Sequence, residues 1–291
     1  MHRRALSLIF ALLFAVLAAG CSLFSEVKDE TSGWTAEKMY REGHEALVEG
    51  NYTRAIKMFE TLEGRFPYGR HAQQAIIEGA YAQYKSGEPA LAIAAADRFI
   101  KLHPDHPSVD YMYYLKGLSN FNEDLGFLGI LADQDLAERD PKSARESYAT
   151  FRDLVTKFPE SRYARDSTTR MAYLVNALAS HEVYAARYYF DRQAYLAAAN
   201  RAQYALQTYP RTPANEAALV IMLRSYEALK RDALRDDTRR ILAANFPNNP
   251  YLNGRLEKPS WWKFWASNEE VYVTSAAAPA KSEDKPWWKF W

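Results

Sequence analysis

Apolar residues fall into stripes spaced three or four apart, a period that belongs to amphipathic helices; half-buried strands would alternate every second position. The stripes are interrupted by prolines at 67, 104, 159, 210 and 247, at intervals of 37, 55, 51 and 37 residues. Positions counted back from these prolines recur. One before each lie Phe66, His103, Phe158, Tyr209 and Phe246; five before lie Leu62, Phe99, Leu154, Ala205 and Leu242. Twelve before lie Ala55, Ala92, Ser147, Ala198 and Arg235, four small residues and one exception. Gly43, Ala80 and Gly117 are separated by steps of 37, and Gly50 and Gly87 repeat the same step. The pattern predicts five helix pairs: 36–49/53–65, 70–86/88–102, 107–121/142–157, 162–190/193–208 and 214–229/231–245. Thr35 is placed to cap the first of them, with Glu37 in its first turn.

Each recurring position has a physical task. Small residues let paired antiparallel helices cross closely, the glycines at 50 and 87 tolerate the positive φ of a tight turn, and the closing proline stops the second helix. The segments FETLEGRFPYGRHA (59–72) and FRDLVTKFPESRYA (151–164) share F-x2-L-x3-F-P-x2-R-x-A. Together these features resemble the tetratricopeptide (TPR) pattern. The expected fold is an all-α TPR solenoid of five degenerate helix-turn-helix repeats spanning residues 35–252, because one such repeat cannot bury its apolar face alone. Repeat five departs most, with Arg235 and Arg239 at positions usually small or apolar, as suits a terminal repeat with one face in water.

The two ends have other characters. His2, Arg3 and Arg4 precede the apolar run ALSLIFALLFAVLAA (5–19), which is short for a bilayer span and ends in small residues, so residues 1–20 read as an export signal. The lone cysteine follows. Leu17-Ala18-Ala19-Gly20-Cys21 resembles the lipobox of bacterial lipoproteins, although Ala18 stands where the large aliphatic residue is usual. The resemblance implies acylation of Cys21, and Ser22 after it, rather than an aspartate, favours the outer membrane. Residues 21–34 are polar and mixed, a tether between lipid and solenoid.

Charge and chemistry narrow the function. The chain has 291 residues and a formal net charge of +1, and loss of residues 1–20 removes two arginines and no acid, so no overall positive bias points to nucleic acid. One cysteine excludes an intramolecular disulfide. His103, His106 and Asp110 could suggest metal ligation, but both histidines flank prolines in a turn, where imidazoles capping helix ends is the simpler expectation. Asp133, Asp135, Glu138 and Asp140 crowd the insertion of repeat three without the glycine of a calcium loop. Neither G-x-S-x-G nor a Gly-rich phosphate loop occurs, and no catalytic residue, metal or cofactor is expected.

Longer strings carry a sharper resemblance. RFPYGRHAQQA (65–75), AIAAADRFIKLHPDHPSVDYMYYLKGLSNF (92–121) and ERDPKSARESYATFRDLV (138–155), behind a lipobox, resemble the BamD/ComL family of lipoproteins of the outer-membrane β-barrel assembly machinery, the BAM complex. The resemblance covers roughly residues 15–250. It implies a lipid-anchored protein of the cell outer membrane, facing the periplasm, that scaffolds BamA, works with BamC and BamE, and recruits unfolded outer-membrane β-barrel proteins. It further implies that repeats one and two face client peptides while repeats three to five hold BamA and BamC, with Asn200-Arg201 contacting the periplasmic domain of BamA through a salt bridge. The alternative is a TPR pilotin-like lipoprotein that chaperones a secretion or pilus component.

Aromatic residues supply the remaining candidates. Tyr81, Tyr84, Tyr111 and Tyr114 lie on first helices, which line the concave side of a TPR solenoid, and Arg98 adds basic character nearby. Some of these rings would pack between helices and the rest would offer a peptide groove. Residues 253–291 read as a flexible tail in which Trp261, Trp262, Trp265, Trp287, Trp288 and Trp291 form two blocks of sequence WWKFW. Tryptophan beside lysine suits the bilayer interface or a partner groove; the first block could instead cap repeat five.

Overall fold

The computed structural model describes residues 31–124 and 141–252. Among them are ten helices: α1 (Ala36–Val48), α2 (Tyr52–Arg65), α3 (Arg70–Lys85), α4 (Pro89–Leu102), α5 (Val109–Asp124), α6 (Lys142–Lys157), α7 (Ala164–Asp191), α8 (Tyr195–Thr208), α9 (Ala214–Ala228) and α10 (Asp232–Asn245). Each pairs with the next along the chain, and the expected all-α TPR solenoid is the fold. First helices of repeats one and two, two and three, and four and five also pack together, whereas no pair of second helices is comparably close. The stack is therefore tighter on the side of the first helices, which makes that side concave.

Local chemistry explains the boundaries. The Thr35 hydroxyl accepts a hydrogen bond from the Lys38 N–H at 3.2 Å, and Asn51 caps α2 in the same way through Arg54. Every second helix ends two residues before its proline, and the residue between, Phe66, His103, Phe158, Tyr209 or Phe246, bonds its N–H to the carbonyl four residues earlier. Proline bars the residue before it from the helical region, so these five residues leave the helix at φ between −124° and −134°. Within a pair the turn needs a left-handed residue: Gly50 and Gly87 adopt φ of +80° and +82°, and Gln193 and Lys230 take the same place in repeats four and five. The extra length before Pro210 extends a helix, giving α7 its 28 residues.

The junction after the proline is a second recurring device. The N–H of His106, Ser161 and Asn249 each returns to the carbonyl three residues before it. Their side chains then accept from the backbone two residues on, in Ser108, Tyr163 and Tyr251. His106 thus bonds the residue just before α5, while the His103 imidazole meets the Gln73 side chain at 3.4 Å rather than a helix end. Ser161 donates to Asp110 and Asn249 to Glu216, both at 2.7 Å, clamping each junction to the preceding first helix. The turn that opens repeats three and four recurs after Pro247, and it sets Tyr251 and Leu252 over Leu219, Val220, Leu223 and Leu242.

The core runs the length of the stack. Phe59, Phe99, Phe151, Leu62, Leu154 and Leu242 are fully buried, as are the small residues Ala55, Ala92, Ser147 and Ala198. Residues 1–30, 125–140 and 253–291 lie outside the described residues, and with them Cys21, the acidic insertion and all six tail tryptophans.

Candidate functional site

Two surfaces were indicated by sequence: a concave aromatic groove and the Asn200-Arg201 pair. The groove residues separate into core and rim. Tyr81, Tyr111 and Tyr114 are buried. The Tyr114 ring stacks on Tyr163 at 4.7 Å, Tyr111 lies tilted against the same ring at 5.6 Å, and the Tyr114 hydroxyl donates to Asp166 at 2.7 Å. These rings join repeat three to repeat four. Tyr84 is half-buried. Arg98 sits on a second helix, the opposite layer from the tyrosines, and donates to Glu63 of the preceding repeat at 2.7 Å. Burial pushes the Glu63 carboxyl up, and the Arg98 charge partly offsets that shift. Tyr84 and Arg98 are thus the groove candidates with substantial exposed surface, and the structure places them on different layers.

Charged groups inside the first helices were not singled out by sequence reasoning. Glu78 on α3 is fully buried and accepts from the Tyr40 hydroxyl at 2.5 Å, with His44 Nδ1 at 2.8 Å, both from α1. That hydrogen bond raises the His44 pKa despite burial. Arg170 on α7 is buried, pairs with Asp166 at 2.6 Å and covers the Phe121 ring. Glu182, also on α7, is buried and receives Arg201 Nη1 at 2.7 Å and Arg145 Nη2 at 3.5 Å. A signal was available in the helix period. Glu182 continues the buried row Leu174–Leu178 and precedes Ala186, where an apolar residue is expected.

Asn200 and Arg201 lie exposed on α8, and Arg201 is committed to Glu182 on one side. His103 and His106 both pack against the Phe99 ring, each at 5.1 Å, and burial lowers the His106 pKa. Among the described residues no group of three or more His, Cys, Asp or Glu is placed to hold a metal ion, and no helix is long and apolar enough to cross a membrane.

This arrangement offers side chains for binding along a stiff array of helix pairs. The match to known proteins agrees in extent: the family described as YfiO, outer membrane lipoprotein, matches residues 33–241, nearly all of the helical array. The chain belongs to that family. Among curated relatives, the outer membrane protein assembly factor BamD of Neisseria meningitidis serogroup B is 49% identical over 237 residues, covering 81% of this chain and 89% of the relative. The factor of the same name from Xylella fastidiosa is 37% identical over 261 residues, covering 89% and 87%. That of Vibrio cholerae is 33% identical over 234 residues, covering 80% and 96%.

Proposed function

We propose that this chain is an outer membrane protein assembly factor, a non-enzymatic scaffold of the BAM complex that acts by binding. The observation that carries the reading is the coincidence of the family match with nearly all of the helical array, together with relatives of one name at 33% to 49% identity. The relatives favour this role over that of a pilotin-like chaperone. Acylated Cys21 anchors the chain to the outer membrane on its periplasmic side, and the solenoid holds BamA through repeats three to five while BamC and BamE complete its partner set. Unfolded β-barrel proteins meet the concave side at repeats one and two, where Tyr84 offers an amphipathic ring to an extended peptide.

The anchor has a mechanical consequence. Arg65 donates to the Thr31 carbonyl at 2.8 Å, which ties the start of the described chain to repeat one. Thr31 lies ten chain steps after Cys21, with nine residues between, a reach of at most about 35 Å when extended. Repeat one therefore stays close to the bilayer while later repeats are free to extend into the periplasm. Cys21→Ser should move the protein from the outer-membrane fraction to the soluble periplasm or leave it unprocessed. Unchanged fractionation, with no lipid found on the native N-terminus by mass spectrometry, would overturn the anchoring.

A further inference from the structure

The seam between repeats three and four buries one carboxylate beneath two arginines. Glu182 on α7 has a side chain only 1% exposed, and its two oxygens face different neighbours. Oε2 accepts from Arg201 Nη1 at 2.7 Å and Oε1 from Arg145 Nη2 at 3.5 Å. Arg145 belongs to α6, the second helix of repeat three, and Arg201 to α8, the second helix of repeat four. Their side chains remain 50% and 46% exposed. Tyr209 lies near Arg145 and, like any tyrosine, adds no charge at neutral pH; burial pushes its hydroxyl pKa further up. Asn200 and Tyr204 are exposed on the same helix as Arg201.

One arginine would neutralise Glu182. A second leaves a positive charge in excess, and both guanidiniums keep donors available to solvent in a planar fork suited to carboxylates. A carboxylate arriving from outside would balance the charge. The buried oxygens meanwhile hold Arg201 at 2.7 Å and keep Arg145 within 3.5 Å before it arrives, which lowers the ordering cost of binding. We propose that Arg145 and Arg201 form a two-arginine receptor for a single carboxylate side chain of a protein partner, with Glu182 as the buried residue that positions both. This rests on the reading of Asn200-Arg201 as a partner contact. It adds Arg145 from the neighbouring repeat, so the receptor exists only where repeats three and four are packed together.

The test titrates the full-length chain in detergent with the periplasmic domain of the barrel subunit of its own assembly machinery. Arg145→Gln and Arg201→Gln should each weaken binding about tenfold. The double variant should lose little more than either, because both act on one carboxylate, and its salt dependence should flatten. Arg145→Lys keeps a charge over Glu182 without the planar fork; it should melt like the parent yet bind several-fold more weakly, and it decides the matter should Arg145→Gln melt early. Glu182→Gln makes the site more positive, so a merely electrostatic patch would bind more tightly, whereas a positioned receptor binds more weakly. Arg201→Glu is unsuitable, since it sets a second carboxylate against Glu182. Loss from Arg201→Gln with both Arg145 variants binding as the parent would overturn the receptor and leave the single contact standing. Additive losses, or undiminished binding by Glu182→Gln, would also overturn it. Undiminished binding by Arg201→Gln would remove the underlying contact as well.

Discussion

At the scale of single residues, the helix pairs are matched by exchange of side-chain size. Gly43 faces Phe59, and a Cβ on it would lie 2.7 Å from the phenylalanine ring; Gly117 faces Phe151, where the distance would be 2.4 Å. Repeats two and four place buried alanines at the matching positions, Ala80 with Ala96 and Ala186 with Ala202. One large and one absent side chain fill the same crossing as two small ones. Gly117→Ala should therefore destabilise the chain by about 1–3 kcal/mol through overpacking. Thermal melting would show it, and Phe151→Leu should restore part of the loss; an unchanged melting temperature would mean that the crossing is loose. The small and aromatic positions were legible because they recur at a fixed distance from the prolines. Glu78 and Glu182 were not, since their partners come from other helices and no period links Glu182 to both Arg145 and Arg201; Arg170 pairs with Asp166 one turn away, but its burial against Phe121 is set by another helix. Tyr81, Tyr111 and Tyr114 show the same limit. A first helix has one apolar face toward its neighbours and another toward the groove, and spacing alone does not separate them.

At the scale of the element, turns carry as much information as helices. The ends of the second helices agree with the proline spacing because each stops by the same mechanism, whereas α5 runs three residues beyond its expected end. Within pairs, glycine at 50 and 87 announces the left-handed turn, whereas Gln193 and Lys230 adopt φ of 61° and 55° with no such announcement. A side chain in that region costs about 1 kcal/mol relative to glycine. Gln193→Gly should accordingly raise stability by some tenths to about 1 kcal/mol, reduced by the greater freedom glycine gives the unfolded chain. Denaturant unfolding measures this, and a lower midpoint would show that the glutamine side chain contributes more than its backbone strain costs. The junction turns were legible only in part: prolines at 104, 107, 247 and 250 mark them, but the clamps from Ser161 to Asp110 and from Asn249 to Glu216 join residues 51 and 33 apart, which no local turn signal announces.

At the scale of the whole molecule, the solenoid has two unlike ends. Repeat one is tied by a short tether to the proposed lipid, and Arg65 closes that connection. Repeat five ends in a helix whose arginines and aspartates pair with one another, Arg235 with Asp232 and Asp236, so its outer face is made for solvent. The chain then continues through residues 253–291, whose tryptophan blocks have no counterpart in the repeats. We propose that the block at residues 287–291 makes a second contact, with lipid headgroups or a partner groove. Deletion of residues 266–291 should leave the melting temperature nearly unchanged and reduce liposome binding of the non-acylated protein. A large fall in melting temperature with liposome binding intact would make the tail structural instead.

The central claim is that the array exists to hold a barrel-assembly partner, and affinity capture tests it most directly. Full-length tagged chain is recovered from detergent-solubilised membranes and its companions are identified by mass spectrometry. The account predicts a barrel protein of the BamA type, recovered in amounts comparable to the bait and depleted when Arg201 is changed to Gln. Recovery of a folded, membrane-associated bait without any such barrel protein would contradict it.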